Sequence, residues 1–113
     1  MNVFTTINGC EYELSTKLIV AYQIQGCHNH KPYLEIFQDV AKMPLERQIE
    51  ILFVAFRVAN PEIAKTFNQT AFLNYYLENF NLKQVMSQLQ AVIKGITGED
   101  ESDAEPAEPA EGN

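Results

Sequence analysis

The chain has 113 residues, 46% of them hydrophobic, which suits one domain of ordinary size with a packed core. Its net charge of −7 is uneven: seven of the fifteen acids (Glu99, Asp100, Glu101, Asp103, Glu105, Glu108 and Glu111) follow Gly98, and the eight that remain balance eight lysines and arginines. A neutral body argues against nucleic acid as a partner, the lack of an ~18-residue apolar run argues against a membrane span, and the absence of a leader-like opening predicts a soluble protein of the cytoplasm.

Val3–Ile7 and Cys10–Leu14 flank Asn8-Gly9, the dipeptide that most readily takes positive φ at both central positions of a two-residue turn. They read as a β-hairpin. Two strands alone are marginal in water, so the hairpin must pack on helices or pair along an edge with another chain. Ser15 is placed to cap a short helix from Thr16 to about Gln25, with Leu18, Ile19, Tyr22 and Ile24 as an uneven apolar face and Gly26 as its end. Pro32 suits the start of a second helix, in which Leu34, Ile36, Phe37, Val40 and Ala41 recur at helical spacing. Pro44 stops it near Lys42 or Met43 by pushing the preceding residue out of the α region.

Pro44 to Asn60 reads as the central helix. Ile51 to Phe56 is apolar without interruption and must be covered on several sides, leaving Glu46, Gln48, Glu50 and Arg57 as a polar strip. Asn60-Pro61 marks a break, and Pro61 to Phe67 reads as a short helix or a turn or two. Asn68 or Thr70 caps the next helix, Ala71 to Phe80, whose Phe72, Leu73, Tyr75, Tyr76, Leu77 and Phe80 form a broad aromatic face. Asn81 opens the last helix, with Leu82, Val85, Met86, Leu89, Val92, Ile93 and Ile96 on one side and Gly95 and Gly98 weakening its end. Beyond it, the repeat Ala104-Glu105-Pro106-Ala107-Glu108-Pro109-Ala110-Glu111 has no large apolar side chain to offset the entropy of ordering. The expected fold is mainly α: an N-terminal β-hairpin and about five helices in one domain over 1–97, then a disordered acidic tail over 98–113.

Candidates for chemistry are few. Cys27, His28 and His30 lie within four residues, and Cys10 on the hairpin makes a fourth possible zinc ligand. Paired CxxC units are absent, however, and adjacent Cys27 and His28 are awkward ligands for one ion. The cysteines read as free thiols, with no metal and no cofactor. There is no Gly-rich phosphate loop, HExxH or GxSxG, and no catalytic residue suggests itself, so the chain reads as non-enzymatic. Phe72, Tyr75, Tyr76 and Phe80, with Leu82, Val85, Met86 and Leu89 of the last helix, are the candidates for contacts with a client or with further copies.

Ile7-Asn8-Gly9-Cys10-Glu11-Tyr12-Glu13-Leu14, then Ser15 to Val20, a glycine at Gly26 and the central Leu45 to Phe56 together resemble the tail assembly chaperones of long-tailed bacteriophages. The resemblance covers about residues 3–96. It departs from the family at Cys27-His28-Asn29-His30, where the first helix commonly continues into a charged segment. What the resemblance implies is a homo-oligomer that coats the tape measure protein in the bacterial host cytoplasm until tail-tube subunits displace it. It also implies a longer product made by ribosomal frameshifting near the end of the frame, which recruits the tail tube protein. Glu111-Gly112-Asn113 is compatible with the slippery heptamer GGGAAAC. The alternative is a small helical adaptor or regulator that binds one folded partner.

Overall fold

A computed structural model describes residues 2–98 of the chain. Strands β1 (Val3–Ile7) and β2 (Cys10–Leu14) pair antiparallel with Val3 opposite Leu14 and Ile7 opposite Cys10. Asn8 and Gly9 join them at φ 53° and 82°, the double left-handed turn that matches strand twist. Alternation does the rest: Val3, Thr5 and Ile7 point into the protein while Phe4 and Thr6 point out.

Helices α1 (Leu18–Cys27), α2 (Tyr33–Gln38), α3 (Leu45–Ala59), α4 (Pro61–Thr66), α5 (Gln69–Asn79) and α6 (Leu82–Thr97) follow, with a single 3₁₀ turn at Val40–Lys42. The expected mainly helical fold with an N-terminal hairpin is the fold observed. Helix α3 is its axis, packing against β2, α1, α4, α5 and α6. Ile51, Leu52, Phe53, Val54, Ala55 and Phe56 are all buried, as an uninterrupted apolar run demands. Phe56 alone meets the rings of Tyr12, Phe53, Phe67 and Phe72.

Several local expectations need correction. Ser15 does not cap α1. It is buried, its N–H donates to the Ala55 carbonyl at the end of α3 (3.0 Å), and its hydroxyl accepts from the Lys17 N–H (3.2 Å). That anchorage delays the helix to Leu18. Gly26 does not end α1, which runs through it to Cys27; consecutive left-handed residues, Asn29 (φ 58°) and His30 (φ 61°), then turn the chain. The second helix breaks at Asp39, whose N–H is shared among the Glu35, Ile36 and Phe37 carbonyls, and tightens into the 3₁₀ turn. Gln48 belongs to the core rather than to the polar strip of α3, and its amide donates to the Val40 carbonyl of that turn (2.9 Å).

The caps of the last two helices agree with the sequence. Asn68 accepts from the Ala71 N–H (3.0 Å), and Asn81 and Gln84 form a reciprocal capping box at the start of α6 (2.9 and 2.8 Å). Gly98 closes α6 in the left-handed conformation (φ 88°). The acidic segment expected to be disordered lies, past Gly98, outside the described residues. Among the described residues, no helix is long and apolar enough to cross a membrane.

Candidate docking groove

Residues 72, 76 and 80 recur every four positions, and the structure turns that spacing into a ring stack. Phe72 lies on Tyr76 at 4.5 Å between centroids, and Tyr76 on Phe80 at 4.2 Å with the planes almost parallel. The stack runs from the core outward: Phe72 and Tyr76 are buried and Phe80 is half-buried. The short link Phe80-Asn81 then reverses the chain into α6, so the end of α5 and the start of α6 diverge beside the first turns of α3.

Between these three helix ends opens a groove of about 240 Å³, lined by Leu45, Ile49, Tyr76, Leu77, Phe80, Asn81, Leu82 and Val85. Every lining residue except Asn81 has an apolar body. The rim is exposed, with Leu82 at 66% and Leu77 at 50% of full accessibility. Two leucines left so open beside a half-buried phenylalanine form a surface suited to the apolar side chains of a docked helix.

The eight residues singled out in the sequence therefore part company. Tyr76, Phe80, Leu82 and Val85 meet in the groove. Phe72 and Leu89 are wholly buried and belong to the core, so they present nothing to a client, and Met86 packs half-buried against the same core. Tyr75 turns toward the hairpin, where its hydroxyl oxygen accepts the Asn8 N–H (2.9 Å). An aromatic stripe at helical spacing is mostly core here because the hairpin and α3 cover two of its sides. Leu45, Ile49 and Leu77 were missed as lining residues. Leu45 and Ile49 come from a helix whose sequence signals only burial, and no local pattern brings their turn to α6.

Tyr76 also ends a buried polar network. Its hydroxyl hydrogen-bonds with Thr5 Oγ1 (2.7 Å) and donates to Gln88 Oε1 (2.6 Å), and Gln88 Nε2 donates to Thr5 Oγ1 (3.3 Å). Burial pushes the phenol up to about 12, because the phenolate would lose its water.

No family model matches this chain, and no curated protein or solved structure matches it.

The Cys27 loop gathers no ligand set. Cys10 and Cys27 are exposed free thiols, and among the described residues no group of three or more His, Cys, Asp or Glu side chains is placed to hold a metal ion. His28 packs toward α3, with its Nε2 buried, without a hydrogen-bond partner, and 3.8 Å from Glu50 Oε1. Glu50 is already engaged by Arg47 at 2.9 Å. Burial holds the imidazole below its ordinary value, opposed by the Glu50 charge. Partial burial, with Glu50 adding to it, pushes the Cys27 thiol up, which disfavours a reactive thiolate.

Proposed function

We propose that this chain is a non-enzymatic tail assembly chaperone of a long-tailed bacteriophage, which coats the tape measure protein in the host cytoplasm and keeps it soluble until tail-tube subunits displace it. The observation that carries the reading is the apolar groove between α3, α5 and α6, rimmed by Leu77 and Leu82. A client that is a long amphipathic helix offers apolar side chains at i, i+3, i+4 and i+7, and a short open groove takes them a turn at a time without demanding one sequence. Many copies along one client then give the coat. The resemblance of Ile7 to Leu14, Ser15 to Val20, Gly26 and Leu45 to Phe56 to that family supports the same reading.

In this scheme a frameshifted longer form carries an added domain that recruits the tail tube protein, with the acidic Ala-Glu-Pro stretch as its tether. The coding DNA at Glu111-Gly112-Asn113 tests that part directly: codons that form no slippery heptamer there or nearby remove it.

The main test is co-expression with the tape measure protein of the same genome, followed by size exclusion with light scattering. A soluble complex holding many copies per client is expected, and Leu82→Asp, which places a charge on the groove rim, should return the client to the insoluble fraction. A client that stays insoluble with the unaltered chain would replace this reading by that of an adaptor for one folded partner.

A further inference from the structure

The register of the hairpin decides where its backbone groups point. A two-residue turn makes Ile7 and Cys10 a hydrogen-bonded pair, and alternation makes Thr5 with Tyr12 and Val3 with Leu14 the others. The N–H and C=O groups of Phe4 and Thr6 therefore point outward along the edge of β1, and those of Glu11 and Glu13 outward along the edge of β2. The two edges are treated differently. On β2, helix α3 packs alongside and Asn60 Nδ2 donates to the Glu13 carbonyl (2.9 Å). On β1, no hydrogen bond among the described residues reaches the outward groups of Phe4 or Thr6.

Proteins ordinarily guard an open edge with proline, lysine, a bulge or a covering element. Val3–Ile7 holds neither proline nor lysine, and it pairs with β2 in unbroken register. Beside it lies a groove of about 400 Å³. One wall is the edge itself, with Phe4 45% exposed, and the other is Asn79, Phe80 and Gln84 around the link from α5 to α6. A strand at the usual ~4.8 Å from β1 would run between the two walls.

We propose that this groove takes an extended, cationic peptide segment of another protein as a third strand, antiparallel to β1. Such a strand satisfies the N–H and C=O groups of Phe4 and Thr6, and main-chain bonds of this kind give affinity without a fixed sequence. Its side chains opposite Phe4 and Thr6 project on the outer face of the sheet, where Glu11 lines the groove and Glu13 follows on the same face. Among the described residues neither acid has an ion-pair partner, and no lysine or arginine lines the groove. Lysine or arginine at those alternate positions supplies the missing charge. The same acids disfavour the chain's own segments. A second copy would bring another Glu11 and Glu13, and the stretch after Gly98 carries seven acids, no base, and prolines that lack the N–H an added strand needs. The third strand is independent of whether the tape measure protein is the client of the other groove.

The test is amide exchange of the full chain, read by NMR, with the peptide acetyl-Thr-Lys-Val-Lys-Thr-amide. In the free chain the Phe4 and Thr6 amides should exchange fast, whereas those of Thr5 and Ile7, bonded within the ladder, are protected. Saturating peptide should slow exchange at Phe4 and Thr6. The same peptide N-methylated at both lysines keeps its charges, loses the donors that face β1, and should not bind. Glutamate in place of both lysines should also abolish binding, and Glu11→Gln should weaken it by up to about fivefold, as for an exposed ion pair. Thr6→Pro removes an N–H that the ladder does not use, so it should keep the circular dichroism spectrum and lose the peptide. Phe4 and Thr6 amides already protected in the free chain would mean that the edge is covered, and overturn the proposal. So would a lysine peptide that leaves their exchange unchanged, or equal binding by the N-methylated or glutamate peptide.

Discussion

Gly95 lies so close to Thr16 that a β-carbon built on it would stand 2.5 Å from Thr16 Cγ2 and 2.8 Å from Thr16 Cβ. Alanine is the better helix former by ~1 kcal/mol, yet overpacking a tight contact costs ~1–3 kcal/mol. Gly95→Ala is therefore expected to destabilise the protein in urea titrations. Thr16→Gly in the same chain should restore much of the loss, since it removes both clashing atoms. A stabilised single variant would show that the two segments move apart freely.

Phe72 and Leu82 separate the core from the surface among residues that look alike in sequence. Phe72 is fully buried within a cluster of rings, so Phe72→Ala should cost ~3–5 kcal/mol of stability. Leu82→Ala should change stability by less than ~0.5 kcal/mol while weakening client solubilisation. Chemical denaturation beside the co-expression assay reads both.

Tyr76→Phe deletes the hydroxyl that joins Thr5 to Gln88 and leaves their polar atoms short of a partner, a loss of ~1–3 kcal/mol. The same group sets an alkaline limit. Its folded value, about 12, exceeds the ordinary 10.0, so its contribution is fully present below pH 10.0 and disappears as pH climbs toward 12. Urea midpoints should fall over that window in wild type and fall less steeply in Tyr76→Phe.

His28 sets a limit of the opposite sense. Burial lowers its value from the ordinary 6.5, so the neutral imidazole favours folding above 6.5 and that contribution is lost as pH falls through the folded value. His28→Asn should flatten the acid side of the stability profile below pH 6.5, measured by urea midpoints at each pH. An unchanged slope would mean that the Glu50 charge compensates fully on protonation.

Asn81→Ala removes the side-chain oxygen that accepts the Gln84 N–H, leaving only the other half of the capping box, and should cost about 1 kcal/mol, read as an earlier thermal transition. Fraying of the first turn of α6 also displaces Leu82 and Val85, so the same variant should weaken client solubilisation.

Elements specified by neighbouring residues were readable. Asn8-Gly9 encodes its turn in two residues, Asn81 and Gln84 encode a helix start in four, and the run from Ile51 to Phe56 announces burial whatever surrounds it. Features that depend on distant partners were not. Ser15 looks like a cap until Ala55 claims its N–H, and Gln48 looks solvated until Val40 offers a carbonyl. Half of the candidate surface was misplaced for the same reason. Periodicity says that Phe72 and Leu89 share faces with Tyr76 and Val85, but only the packing of α3 decides how deep each one lies.

The bond between Thr5 and Tyr76 spans 71 positions of sequence, and the partner that completes it, Gln88, comes later still. A ribosome adding ~5–20 residues per second needs several seconds to travel that distance. The hairpin is made first; β2 can pack on α3 as soon as that helix has emerged, but β1 meets α6 last. Throughout that interval β1, with Val3 and Ile7 on its inner face, lacks the helix α6 it packs against. Synthesis speed thus becomes a determinant of yield: slowing translation between α1 and α6 should lengthen the exposure and send more of the nascent chain into aggregates.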